Sequence, residues 1–181
     1  MSAFPNWQLY VVPQQREQTG CIPTAYEIML RAAKVEGINY NTFQDEFDLD
    51  KNGGPPRNHF DPIAKAIKLK YPQVDICWET FPKADGAEKL ARVEQFIRAQ
   101  RPVLVSLPNA AEGGKGWHIM LVVDSSDTEL TLLNYVDKTN GKPVTKTLPK
   151  SRFVEIHDKF PGGDEIAFLN APAAPNPTLI P

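Results

Sequence analysis

The sequence contains only two cysteines, Cys21 and Cys77, among its 181 residues. Two thiols cannot build the framework of several disulfides that holds small secreted domains together. The sequence allows a single disulfide between them, but a chain of this length buries enough surface to fold without one. We therefore expect one domain that is stabilised by its hydrophobic core.

Long apolar runs and a surplus of one charge are also missing. No stretch reaches the roughly 20 apolar residues that cross a bilayer. The first residues, MSAFPNWQLYVVPQQ, lack the basic start and apolar run of a secretory signal. The formal net charge is −2 and no Lys/Arg cluster is present, so nucleic-acid partners and membrane insertion are not expected. We expect a cytoplasmic protein, or one exported without a cleavable signal, and the sequence leaves its oligomeric state open.

The predicted elements indicate a mixed fold. Helices are predicted over 23–35, 41–47, 61–69, 86–99 and 151–158, and strands over 74–78, 102–107, 117–123, 129–135 and 143–148, with 9–12 as a strand or a buried lead-in and 166–169 as an edge strand. Helices lead and most strands follow, which is typical of the α+β class with a mostly antiparallel sheet. We assign residues 1–170 to this domain and 171–181 to a Pro-rich tail that need not pack.

Cys21 lies at the predicted start of the first long helix, in the segment Gly20-Cys21-Ile22-Pro23. A helix N-terminus favours the thiolate form of a cysteine, and a neighbouring imidazole favours it further. The alternative interpretation is that Cys21 is a small buried hydrophobe. Cys77 falls inside a predicted strand, and we interpret it as a buried structural thiol.

The best candidate for the imidazole is His118. It begins the apolar run HIMLVV directly after the Gly-rich loop 112–117, so its side chain can face a cleft while its backbone is held in a strand. His59 precedes a predicted helix cap and is expected on the surface. His157 lies in a charged stretch and is expected to face solvent. An isolated His118 would more often have a structural role than a catalytic one.

A catalytic base needs a group that orients its ring. Asn134 follows His118 by sixteen residues, near the end of the next predicted strand. If these two strands form an antiparallel hairpin, the start of the first lies beside the end of the second. The register therefore predicts that Asn134 lies next to His118. Asp137, three residues further on, is the rival orienter, and the plain alternative is that Asn134 only begins a turn.

Acyl transfer through a thiolate also needs donors for the developing oxyanion. Gln15 precedes Cys21 by six residues, and its amide is predicted to act with the main-chain N–H of Cys21. Gln14 and Gln18 lie close by, so the presence of a glutamine here is weak evidence. The spacing favours Gln15.

Taken together, these stretches resemble the papain-like cysteine peptidase superfamily. The carriers of the resemblance are Gln15, the string Cys21-Ile-Pro-Thr-Ala at a helix start, Trp117-His118 after a Gly-rich loop, and Asn134. Within the superfamily the sequence is most similar to the bacterial peptidases that cleave double-glycine leaders and to their stand-alone relatives. The order and spacing match over roughly residues 8 to 137, but only the short stretches are specific.

The resemblance implies a papain-like fold, in which the cysteine helix packs on an antiparallel sheet. It also implies the site residues: Cys21 as nucleophile, His118 as base, Asn134 as orienter and Gln15 in the oxyanion hole. The sequence departs from the leader peptidases at two positions, where Gly20 and Ile22 replace an acidic residue and a glycine. The orienter is an amide rather than a carboxylate, and we do not carry the leader-peptide substrate over.

The expected activity is hydrolysis of peptide or isopeptide bonds through a thioester, with a peptide or protein as partner and no cofactor. The alternatives are an acyltransferase, transglutaminase-like or amidase enzyme on the same scaffold, an inactive peptide-binding module, and an interaction protein in which the spacing is coincidental. A metal site at Cys77 and His59 is not expected, because two further ligands are missing. The acidic run 45–50 lacks the ligand order of a calcium loop.

Overall fold

The structure is a computed structural model that describes residues 6–15, 20–48 and 60–170. The helices are α1 (Cys21–Ala32), α2 (Phe43–Glu46), α3 (Asp61–Lys70), α4 (Gly86–Arg98) and α5 (Lys150–Lys159), with 3-10 turns at Trp7–Tyr10 and Asn109–Glu112. The strands are β1 (Ile76–Thr80), β2 (Val103–Pro108), β3 (Trp117–Ser125), β4 (Glu129–Val136), β5 (Pro143–Pro149) and β6 (Glu165–Leu169). The predicted tail 171–181 and His59 lie outside the described residues.

The six strands form one sheet in the order β1-β6-β2-β3-β4-β5, and every neighbouring pair is antiparallel. The α+β prediction is therefore confirmed. The expectation that 166–169 forms an edge strand is wrong, because β6 lies between β1 and β2 and all five of its residues are buried. A strand with neighbours on both sides and helices nearby has few positions for polar side chains, which explains why four of its five residues are apolar.

Helix α1 is the buried centre of the first half of the chain. Ten of its twelve residues are buried, and it packs on β3 and β2. It begins at Cys21 itself, two residues before the predicted start, because Pro23 is tolerated in a first helical turn. It ends before Lys34 and Gly37, which both adopt left-handed conformations with φ of 53° and 78°.

The two faces of the sheet carry different helices. Ile119 and Leu121 line a pocket together with residues of α1, whereas Met120 lines a cavity together with Ile156 of α5. Alternate residues of a strand point to opposite faces of its sheet, so α1 and α5 pack on opposite sides of β3.

His157 is buried, so the expectation that it faces solvent is wrong. Only 2% of its surface is exposed, and its Nε2 lies 2.9 Å from the carbonyl oxygen of Pro82. The reason is helical spacing: Phe153, Ile156 and His157 share the inner face of α5, which packs against α4. The charged neighbours that suggested a solvent position occupy the outer part of the helix.

Candidate active site

Cys21 is the first residue of α1, with Gly20 as the preceding cap residue. The first N–H groups of a helix have no partner inside it and carry its positive end, so this position favours an anionic sulfur. The side chain is half-buried, and neither Cys21 nor Cys77 forms a disulfide. A thiol at this position is accessible to a substrate without being part of the core.

A pocket between α1 and the sheet brings together residues from distant parts of the chain. Its volume is about 360 Å³, including space that is open to solvent. Cys21, His118 and Asn134 all line it, so three of the four predicted site residues share one pocket. The polar residues Gln14 and Thr24 line it too, and the other lining residues are apolar: Val12, Ala25, Ile28, Ile119, Leu121, Leu133 and Val136.

The ring of His118 is held by the main chain of Asn134. His118 Nε2 lies 2.7 Å from the Asn134 carbonyl oxygen. A carbonyl oxygen can only accept, so Nε2 carries the hydrogen and donates it. In the neutral ring this leaves Nδ1 as the acceptor, which is the state that a general base requires. The group that contacts the ring is the backbone carbonyl of Asn134, whereas the sequence had pointed to its side-chain amide.

Irregular strand pairing explains why Asn134 is available for this contact. The pairing of β3 with β4 ends at Leu121 and Leu133, so the start of β3 and the end of β4 lie beyond the ladder. On the other side, Leu133 pairs with Thr145 and Tyr135 with Val144, which leaves Asn134 as the extra residue of a β-bulge. Bulges interrupt a ladder and redirect the residues beside them.

Asp137, the rival orienter, is occupied within its own turn. Its carboxylate accepts hydrogen bonds from the main-chain N and the hydroxyl of Thr139, at 2.8 and 2.7 Å, and from Asn140 Nδ2 at 2.8 Å. The hydroxyl bond from Thr139 is the largest cause of a lowered pKa at Asp137. Asp137 is not among the residues that line the pocket.

Gln15 does not line the pocket with Cys21, whereas its neighbour Gln14 does. Gln15 is exposed, and its main-chain N donates to Gln44 Oε1 at 2.9 Å. The role predicted for Gln15 therefore stays a prediction. Sequence reasoning missed Gln44 and gave Thr24 no role, although Thr24 belongs to the string Cys21-Ile-Pro-Thr-Ala. Gln44 lies in the short predicted helix 41–47 with nothing to mark it as a site residue.

His118 and Asn134 also border a second cavity on the other side of the sheet. Its volume is about 460 Å³ including open space, and its lining includes Asn109, Met120 and Lys146. Burial lowers the pKa of Lys146, and the charge of Arg152 lowers it further. The His118 ring thus lies at the boundary between a largely apolar pocket beside α1 and a more polar cavity beside β5.

Two further features are absent from the residues that the structure describes. No group of three or more His, Cys, Asp and Glu side chains within 6–15, 20–48 and 60–170 could hold a metal ion. Among the helices of those same ranges, none is both long and apolar enough to cross a membrane.

The comparisons with known proteins concern the fold. No protein-family model matches the sequence, and no curated protein matches it. The chain is similar in structure to a Bacillus anthracis protein that is itself only provisionally assigned as a C39-like peptidase, with a TM-score of 0.60 and 14% sequence identity over 95% of this chain and 99% of that one. This likeness shows the papain-like fold that the motifs predicted. The narrower similarity to double-glycine leader peptidases stays a prediction.

Proposed function

We propose that the protein is a cysteine peptidase that hydrolyses peptide or isopeptide bonds, with Cys21 as nucleophile and His118 as general base. One observation carries the proposal: a cysteine at a helix N-terminus and a histidine from the opposite half of the chain line the same pocket. The histidine is held so that Nδ1 is its accepting nitrogen. A nucleophile, a base and an orienting group are the components of covalent acyl transfer.

In the first half of the reaction, His118 Nδ1 takes the proton of the Cys21 thiol, and the thiolate attacks the carbonyl carbon of the substrate. The oxyanion accepts hydrogen bonds from the main-chain N–H of Cys21 and from a glutamine amide. The C–N bond then breaks as the His118 imidazolium gives its proton to the leaving amine. The acyl group is left on sulfur as a thioester.

In the second half, water attacks the thioester while His118 takes one of its protons. The C–S bond breaks, the carboxylic acid leaves, and the proton returns to the Cys21 sulfur. Asn134 orients the His118 ring through its carbonyl oxygen in both halves. Because most of the pocket wall is apolar, we expect a substrate with an apolar side chain near the scissile bond. No cofactor takes part in any of these steps.

The reactivity of the two cysteines tests this proposal. At pH 5.5 an ordinary thiol is only about 0.1% thiolate, so iodoacetamide should alkylate Cys21 roughly 10- to 100-fold faster than it alkylates an unfolded thiol. Cys77 is the internal control, because burial and then the charge of Asp75 raise its pKa. The rates are measured by mass spectrometry of the two peptides. In the His118→Ala variant, Cys21 should be alkylated no faster than an ordinary thiol. The proposal would be contradicted if Cys21 of the native protein were alkylated only as fast as Cys77 in denaturant.

Screening a peptide library with the native protein and with Cys21→Ala then separates the enzyme classes. Hydrolysis by the native protein alone identifies a peptidase. Products that carry an added amine identify an acyltransferase or transglutaminase-like enzyme on the same scaffold. Binding of a peptide by both proteins without turnover identifies an inactive recognition module.

A further inference from the structure

Gln44 is a buried side chain that makes four hydrogen bonds. It is 4% exposed and lies on the four-residue helix α2. Its Oε1 accepts from the main-chain N of Gln15 at 2.9 Å and from Thr24 Oγ1 at 2.8 Å. Its Nε2 donates to the carbonyl oxygen of Pro13 at 3.1 Å and to Glu27 Oε2 at 2.9 Å. This uses both donor hydrogens and both accepting lone pairs of a carboxamide.

Two of these four bonds bracket Gln14. Gln44 bonds the carbonyl of Pro13 and the N–H of Gln15, the residues immediately before and after it. A side-chain amide in this position pairs with the main chain as a peptide group of a neighbouring strand would. The backbone is therefore held on both sides of Gln14, which lines the pocket with Cys21.

The other two bonds attach this segment to the helix that begins at Cys21. Thr24 and Glu27 are three residues apart and lie on one face of α1. The second oxygen of Glu27 is held by Arg31, with Nε at 2.8 Å and Nη2 at 2.7 Å, so the carboxylate cannot turn away from Gln44. A buried polar network whose members are all paired is rigid. We call Gln44, Thr24, Glu27 and Arg31 the Gln44 network.

We propose that Gln44 is a positioning residue of the active site that acts through Gln14, holding the Gln14 amide at the pocket where the oxyanion forms. This inference rests on the proposed function. It favours Gln14 over Gln15 for the oxyanion role, because Gln14 lines the pocket and Gln15 is exposed outside it. Thr24 connects the two parts, since it lines the pocket and donates to Gln44.

Two reactions of Cys21 separate positioning from general structural damage. Alkylation by iodoacetamide forms an S–C bond and expels iodide without an oxyanion. Acylation by p-nitrophenyl acetate passes through a tetrahedral oxyanion, forms the thioester and releases p-nitrophenolate, whose absorbance is followed as a burst. Both are run at pH 7 in a Cys77→Ala background, so that Cys21 is the only thiol.

We expect Gln44→Met to slow acylation about tenfold while alkylation changes less than twofold, because oxyanion donors act only on acylation. Gln14→Ala should give the same split. In the Gln14→Ala background, Gln44→Met should have no further effect on acylation. Val93→Ala is the control for stability alone, since Val93 is fully buried on α4 and does not line the pocket.

Three outcomes would overturn the inference. Acylation and alkylation could slow together in Gln44→Met. The effects of Gln14→Ala and Gln44→Met on the acylation rate could add in the double variant. Finally, Gln15→Ala rather than Gln14→Ala could slow acylation. If Gln44→Met does not fold, Gln44→Glu is the second variant: it keeps the oxygen that accepts from Gln15 and Thr24, loses the NH₂ group that donates to Pro13 and Glu27, and should give the same split. Failure of the proposed function has a separate readout, because Cys21 of the unaltered protein would then alkylate no faster than an ordinary thiol.

Discussion

Buried polar side chains of this protein differ in whether their polar atoms are paired. On the α1 side, Thr24, Glu27 and Gln44 are at most 8% exposed, and all three are joined by hydrogen bonds. By contrast, Ser106 on β2 and His157 on α5 are also buried, yet Ser106 Oγ and His157 Nδ1 have no hydrogen-bond partner in the part of the chain that the structure describes.

Paired and unpaired buried polar groups have different consequences for the protein. A complete network holds its members in one arrangement, which suits residues that border a reacting group. A buried polar atom without a partner costs stability and positions nothing. We therefore expect substitutions in the Gln44 network to change the chemistry of Cys21. Substitutions between α4 and α5, or at Ser106, should change mainly the free energy of unfolding.

The largest expected loss of stability comes from Phe153→Ala. Phe153 is fully buried on α5, and its ring lies 5.3 Å from the Lys89 ammonium. Removing it leaves a cavity, and Phe→Ala changes in cores lower the free energy of unfolding by about 3–5 kcal/mol. Urea denaturation measures this, and Leu69→Ala, at an 86% exposed position, is the control with a change below about 0.5 kcal/mol. A matching loss in Cys21 alkylation of the folded protein would contradict the comparison.

Lys89→Met tests the core between α4 and α5 through the pH dependence of the free energy of unfolding. Lys89 is fully buried and donates to the Gly163 carbonyl, and burial lowers its pKa to about 7 against the opposing charges of Asp164 and Glu165. The unfolded chain keeps this proton up to a pKa of about 10.4, so it binds more protons than the folded state between pH 7 and 10. The stability of the native protein should therefore rise with pH in this window, by up to about 2 kcal/mol between pH 7 and 9.

The Lys89→Met variant lacks this titration, so its free energy of unfolding should change less over the same window. The measurement is a series of urea titrations at pH 7, 8 and 9, with Lys65→Met as the control, because Lys65 is exposed and its ammonium contacts Asp61 and the Trp78 ring at the surface. Equal pH dependence in the native and Lys89→Met proteins would show that Lys89 is charged in the folded state.

Glu27→Gln tests the Gln44 network, and its expected effect on the free energy of unfolding is smaller than that of Phe153→Ala. The Glu27 carboxylate is 2.7 Å from Arg31 Nη2 and accepts from Gln44. A glutamine must turn its NH₂ towards one of these two donors, so we expect a loss of about 1–2 kcal/mol. Unlike Phe153→Ala, it should also slow acylation of Cys21. Glu155→Gln is the matched control, because Glu155 also binds two cations, Lys159 and Arg152, but its side chain is 39% exposed. An unchanged acylation rate would mean that Glu27 does not contribute to the positioning role of the Gln44 network.

Ser106→Ala is the smallest expected change. The variant removes a buried hydroxyl that has no partner within the described residues, so little is lost. We expect a change within about 0.5 kcal/mol, in the stabilising direction. Thr24→Val, which removes a buried hydroxyl that is bonded to Gln44, is the contrasting variant and should destabilise. A large loss in Ser106→Ala would mean that this hydroxyl is paired in solution.

Most elements could be predicted from the sequence because their signals are local. The start of α4 at Gly86 and the strand from Trp117 follow from apolar periodicity and turn residues, and the structure places both there. The position of β6 could not be predicted in this way. Its place between β1 and β2 depends on pairing with residues 61 to 93 positions away along the chain, which periodicity does not encode.

The site was predictable in part for the same reason. Cys21 at a helix start and the approach of Asn134 to His118 follow from an N-terminal helix signal and a simple hairpin. The contact through the Asn134 carbonyl could not be predicted, since it depends on a one-residue bulge between β4 and β5. The sequence did not predict the burial of His157, because the charged residues beside it along α5 indicated a solvent-exposed stretch.

By itself, the sequence determined which residues can do chemistry and which elements carry them, because helix caps, turns and apolar periods act over a few neighbours. Only the tertiary structure decided which glutamine borders the pocket and what holds it there. Gln44 lies 29 positions from Gln15 and 17 from Glu27, and its four hydrogen bonds exist only after α1, α2 and the segment 13–15 have packed together. Contacts between such distant positions depend on how the whole core closes.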